Sequence, residues 1–198
     1  MAATVSTIRR ATQADSEAMA SCLLLAMEEI VFAFIGEKTK AKAAAFMNYF
    51  TLRENNQYSF QNGWVVEENG KVVAAANVYN GADLHRLRQP VLDYIRSQYH
   101  RNLLPEDETI AGEFYLDTLG VLPEHRDKGI GSCLLQSLLE EYVYRQQQTL
   151  GLLVEESNPA ALRLYLRIGF VPAGEKMLLG KKMHHLQVKA VAKPESFQ

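Results

Sequence analysis

The stretch from 112 to 144 constrains the fold more than any other. GEFYLDTLGVL is an apolar run rich in β-formers, PEHRDKGIG is a charged turn with two glycines, and SCLLQSLLEEYVY carries leucines at helical spacing. Leu134, Leu135, Leu138, Leu139, Tyr142 and Val143 share one face of a 3.6-residue period, which predicts a helix over 132–144 with the glycines at its N-terminus. The first N–H groups of a helix lack an intrahelical acceptor and lie at the positive end of its dipole, so that end receives anions, phosphate above all. Gly129 and Gly131 allow close approach of a ligand to the backbone, and Arg126 and Lys128 can add charge. A pyrophosphate fits this junction. A glycine-eased turn with two solvated cations fits it as well. Neither G-x-x-x-x-G-K-S/T nor G-x-G-x-x-G occurs, which excludes the P-loop and the dinucleotide fingerprint.

The elements around this junction alternate. TIRRAT reads as a short strand, and Thr12 with Asp15 makes a capping arrangement that opens a helix. Met19, Cys22, Leu23, Ala26, Met27, Ile30, Val31 and Phe34 form its continuous apolar stripe, ended by Gly36. A second helix is predicted over 38–53. Asn69-Gly70, between two β-rich runs, predicts a hairpin. Residues 81–111 break the rhythm and read as a substrate-side insertion with a helix beginning near Pro90. Strand 149–156, a helix over 159–168 closed by Gly169, and one last strand over 176–186 follow, with a loose tail at 191–198. The order implies a single α/β (α+β) domain over 1–190, built on a mixed sheet flanked by helices.

Composition narrows the chemistry. At 198 residues and 47% apolar content the chain can bury a sizeable core, and a net charge of −2 argues against nucleic acid or an anionic membrane as partner. Cys22 and Cys133 are too few for a disulfide framework and read as buried free thiols of a reducing compartment. There is no signal-type leader and no run of about 18 uninterrupted apolar residues, so a cytoplasmic location is expected. His184 and His185 are adjacent on a predicted strand and point to opposite faces, and no Cys/His spacing of the zinc type occurs, so no metal is expected.

A second segment gives the glycine loop a context. LDTLGVLPEHRDKGIGSCLL, followed by LLVEESNPAALRLYLRIGF, resembles the GCN5-related N-acetyltransferase (GNAT) superfamily. Arg126, Gly129 and Gly131 meet the family's R/Q-x-x-G-x-G/A loop, and Asn158, Ala161, Leu164, Tyr165, Gly169 and Phe170 meet its later N-x-x-A-x-x-L-Y-x-x-x-G-F segment. The resemblance is specific over 113–171 and compatible over 4–80. It implies a mostly antiparallel sheet whose central parallel strands splay apart to hold acetyl-CoA. The pyrophosphate would rest on the amides of Asp127, Lys128, Gly129, Ile130, Gly131 and Ser132, and the pantetheine arm on the main chain of Leu119, Gly120 and Val121. Gly120 stands where a bulge would help the strand peel away.

Acyl transfer to an amine needs a base, because an amine of pKa near 10.4 is unprotonated in only roughly one molecule in a thousand or more at neutral pH. Asp117 is the preferred base, with Glu113 and Glu155 as alternatives. A backbone N–H at Leu119 or Val121 could stabilise the oxyanion. By resemblance Tyr165 protonates the departing thiolate, although its helical stripe with Ala161, Leu162 and Ile168 also suits packing. Asn158 can cap its helix, hydrogen-bond the pantetheine arm, or both. The implied activity is direct acetyl transfer from acetyl-CoA to a primary amine, in a monomer or a homodimer. A non-catalytic CoA-binding sensor and a nucleotide-binding protein are the rival readings.

Overall fold

The structure, a computed structural model, describes residues 6–190; the tail at 191–198 lies outside the described residues. The strands are β1 Ser6–Arg10, β2 Gly63–Glu68, β3 Lys71–Asn80, β4 Phe114–Val121, β5 Leu150–Glu155, β6 Val171–Leu178 and β7 Lys181–Val188. The helices are α1 Ser16–Ile35, α2 Lys40–Thr51, α3 Leu84–Tyr99, α4 Ile130–Leu138 and α5 Pro159–Ile168. One seven-stranded sheet runs β1-β2-β3-β4-β5-β7-β6. Only β4 and β5 pair in parallel; the other neighbours are antiparallel.

Alternation along the strands divides the core into two layers. Val65 and Ala75 face α1, α2 and α3, where Phe46, Phe50, Val91 and Ile95 are buried. Val66, Ala74, Ala76, Leu116 and Leu152 face α4 and α5, with Leu134, Leu135 and Leu138 packed on them. α1, of mean hydropathy 2.0 and 50% buried across its apolar window, is long and apolar enough by length and composition to cross a membrane. Here it packs on β3 and β4.

Parallel pairing of β4 with β5 covers Phe114↔Leu150 to Leu116↔Leu152 and stops there, although β4 continues to Val121 and β5 to Glu155. The strands splay beyond that point. The bulge in β4 lies at Asp117, not at Gly120: Asn77 pairs with Thr118 and Val78 with Leu116, leaving Asp117 unmatched. Gly120 serves another purpose. A Cβ there would sit 1.8 Å from the carbonyl oxygen of Cys22, so the glycine lets α1 lie directly on β4.

Several local expectations change. α3 starts at Leu84, six residues before Pro90, because Asn80 caps the 3-10 turn Gly81–Asp83 that leads into it, and exposed Pro90 is carried within the helix. The segment 176–186 is two strands, not one, turning at Leu179-Gly180 with φ of 49° and 77°. The helix predicted to reach 144 is regular to Leu138 and continues as a π-helical turn, Leu139–Arg145. Cys22 is buried, but Cys133 is exposed on the outer side of α4.

Candidate active site

The glycine loop bridges the splayed end of β4 and the start of α4. Asp127 (φ 59°) and Gly129 (φ 80°) are both left-handed, a conformation that turns successive amides toward one side and makes a concavity for an anion. Cys133 is the first residue here to donate back into the chain, to the carbonyl of Gly129 at 2.9 Å. The N–H groups from Asp127 to Ser132 have no acceptor among the described residues. At Gly131 an added Cβ would meet Val121 and Leu119 side chains at 3.6 and 3.7 Å, ordinary contacts. Packing does not demand a glycine there; open space above the amides does.

Those residues, Lys128 excepted, line a cleft of about 740 Å³. Among the sequence-predicted residues it joins Leu119, Gly120, Val121, Arg126, Asp127, Gly129, Ile130, Gly131, Ser132, Asn158 and Ala161. Lys128 is exposed outside that lining, and Tyr165 is partly buried behind it, packed edge-on against Phe170 at 5.8 Å between centroids. The N–H of Leu122 bonds across to Val73 in β3, so alternation turns the N–H groups of Leu119 and Val121 toward the opened side. The carbonyl of Val121 accepts from Arg126 Nε at 3.1 Å. Asn158 caps α5 through a bond from the N–H of Ala161 to its Oδ1, 3.1 Å long. His125 and Arg167 also line the cleft and were not singled out in the sequence; Arg167 stands nine residues after Asn158, without a motif of its own.

Residues 26–170 match the Acetyltransferase (GNAT) family. The chain belongs to that family. A mycothiol acetyltransferase of Acidimicrobium ferrooxidans is 39% identical over 75 residues, 38% of this chain and 24% of the relative. A [ribosomal protein bS18]-alanine N-acetyltransferase of Escherichia coli K12 is 36% identical over 63 residues, 32% of this chain and 43% of the relative. The chain thus spans less than half the length of either relative. An N-acetyltransferase structure from Staphylococcus aureus Mu50 superposes with a TM-score of 0.79 at 24% identity, covering 92% of this chain and all of that one, a likeness of fold.

On the opposite side of the splay this GNAT chain has a smaller cavity, about 80 Å³, between β4, α1, α3 and the loop after α3. Asp117 lies on it. Its Oδ2 accepts from Gln57 Nε2 at 3.3 Å and Asn77 Nδ2 at 3.2 Å. Glu108, buried on the loop after α3, accepts through Oε1 from the same Gln57 Nε2 at 2.6 Å and from Tyr79 Oη at 2.8 Å, with Arg88 Nη2 at 3.4 Å. Desolvation, and then the charge of Glu108, push the Asp117 carboxyl up to about 8, against the opposing hydrogen bonds and Arg88. Glu108 was missed because nothing in its neighbourhood of sequence marks it.

The other two carboxylates have different surroundings. Glu113 lies at the start of β4 under Gly151, whose missing Cβ makes room for it. Burial opposes its charge, but His185 at 2.9 Å, Thr109 at 2.7 Å and Gln187 at 2.7 Å together hold it below the usual carboxylate range. Glu155 is lowered by Lys181, 2.7 Å away, and by Ser157. Both are committed to protein partners. Tyr165 is pushed upward by burial, so its phenol stays protonated at neutral pH, and its hydroxyl has no hydrogen-bond partner among the described residues. The histidines are accounted for separately: His185 is spent on Glu113, and among the described residues no three His, Cys, Asp or Glu side chains converge.

Proposed function

We propose that the protein transfers an acetyl group from acetyl-CoA to a primary amine by direct attack in a ternary complex. The observation that carries this is the run of six amides from Asp127 to Ser132 without protein acceptors, five of them from residues lining a cleft that ends where β4 and β5 part, with Asp117 on the far side of the same opening. The diphosphate of the coenzyme binds the amides with Arg126 beside it, Asn158 and Ala161 face its arm, and the arm pairs with the open edge at Leu119, Gly120 and Val121. Lys128 contributes only long-range charge from its exposed position.

The reaction is balanced by groups already in the site. Asp117 takes a proton from the ammonium, and the freed amine attacks the thioester carbonyl, whose developing oxyanion meets an N–H of Leu119 or Val121. The C–N bond forms, the C–S bond breaks and Tyr165 gives its proton to the thiolate. The second proton lost by the nitrogen restores Tyr165 through solvent, and Asp117 releases its own proton to solvent.

Calorimetry with CoA, ATP and NAD, together with a CoA-release assay across amines, tests the reading. Binding of CoA with release of free thiol is expected. Tyr165→Phe should lower kcat by about 10²-fold or more while leaving CoA affinity in place. Binding without turnover by any amine would favour a CoA sensor, and tight ATP binding with none to CoA would favour a nucleotide-binding protein.

A further inference from the structure

The small cavity carries information about the acceptor. Its polar groups belong to Gln57, Tyr58, Arg88, Glu108, Tyr115 and Asp117, and the remaining walls are apolar, among them Met27, Ile30, Phe34, Val91, Leu153 and Met183. Arg88 is not free to meet a substrate carboxylate. Its guanidinium is turned into the loop after α3, against Asp107 Oδ1 at 3.2 Å, Glu108 Oε1 at 3.4 Å and the carbonyls of Pro105 and Glu106 at 3.3 and 3.2 Å. The acids are differently placed. Glu108 Oε2 has no hydrogen-bond partner among the described residues, and Asp117 Oδ1 meets only the Thr118 hydroxyl at 3.4 Å. Gln57 Nε2 touches both carboxyl groups through their other oxygens and so fixes them side by side.

Two open acceptor oxygens side by side suit an ammonium, which offers three donors and accepts none. Beyond them the cavity adjoins a groove of about 190 Å³ that shares Ile30, Leu178, Leu179 and Met183 with it. The Glu155 and Lys181 side chains on that groove already pair with each other, and exposed Glu29 also lines it, 3.9 Å from Lys38. A carboxylate on the acceptor would therefore face Glu29 and Glu155, with Lys181 already committed to Glu155.

We infer that the acceptor is a primary amine on an apolar body without a carboxylate, its ammonium end held between Glu108 and Asp117 and its body along Ile30, Leu178 and Met183. This rests on the acetyltransferase reading. Within it, Glu108 is a specificity residue that fixes the nitrogen, and Asp117 moves the proton.

The test is a CoA-release assay with pentylamine, phenethylamine, 1,5-diaminopentane and 5-aminopentanoate, beside calorimetry with CoA. Both monoamines and the diamine should exceed the amino acid in kcat/KM by at least about tenfold, since its carboxylate would approach Glu29 and Glu155. Glu108→Gln should raise KM for pentylamine by about tenfold, with CoA affinity unchanged and Glu108→Asp intermediate. Should the Gln variant not fold, Ile30→Trp, on a partly buried position, should abolish phenethylamine turnover with CoA binding retained. Preference for the amino acid, or an unchanged KM in a folded Gln variant, overturns the inference and leaves acetyl transfer standing. So does CoA release that only other amine classes support. Failure of CoA to bind overturns the underlying reading, and the inference with it.

Discussion

Asp117 occupies the bulge of β4, which points it and Thr118 together toward the α1 side of the sheet, with Glu108, Arg88, Gln57, Tyr58, Tyr79 and Tyr115 around it. With its carboxyl raised to about 8, kcat/KM should climb about tenfold per pH unit below that value and level above it. Asp117→Asn should lose about 10²–10⁴-fold and flatten the profile. Stability moves the other way. The native state keeps a proton that the unfolded chain has already released, so this group's contribution is fully present below the ordinary aspartate range and is lost as pH rises through about 8. A Tm-against-pH series in which the wild type and Asp117→Asn run parallel from pH 5 to 9 would refute that placement. Glu113 has the opposite sign: its pKa is lowered, so its contribution is present above the usual glutamate range and is lost as pH falls through the depressed value. In the sequence only closeness to the splay point sets Asp117 ahead of Glu113 and Glu155. What separates them arrives from far along the chain, His185 for Glu113 at 72 residues' remove and Gln57 for Asp117 at 60, and no local pattern records such meetings.

Two glycines on neighbouring elements show how the same residue serves different ends. Gly120 yields to the backbone of α1, so Gly120→Ala must push the helix off β4 and should destabilise by about 1–3 kcal/mol or more in chemical denaturation. Gly131 yields to nothing in the protein. Gly131→Ala should leave Tm nearly unchanged and weaken CoA binding by about tenfold or more, because its methyl enters the cleft. Equal effects of the two changes on Tm would contradict this division. The strongly periodic helices and the Asn69-Gly70 hairpin were legible because their signals are local. The β6–β7 turn was not, since Leu179 gives an apolar face to a position that takes positive φ, and Pro90 mimicked a helix start while sitting inside one.

For the molecule as a whole, the sheet is shared by both core layers, so damage on either side must weaken the same unit. Ile95→Ala, beneath α3, and Leu135→Ala, beneath α4, should each cost about 2–5 kcal/mol and shift one common unfolding transition; two separable transitions would show the layers to be independent. Residues 81–111, read from the sequence as an insertion, supply Leu84, Leu87, Val91 and Ile95 to the interior and Glu108 to the cavity. Removing them should leave an unfolded chain rather than one with altered selectivity, which circular dichroism would reveal. The outline of strands, glycine loop and closing helices was present in the residues' order, and 81–111 was expected on the substrate side; the share of the β6–β7 hairpin in the small cavity was not legible, because it meets α1, α3 and a loop only in the folded chain. Cys133 adds a practical consequence. It is the neighbour of cleft-lining Ser132 but faces solvent, whereas the Cys22 thiol is buried and raised to about 12. A maleimide dye should therefore label one site, and its fluorescence would report the arrival of coenzyme in real time without any engineered cysteine.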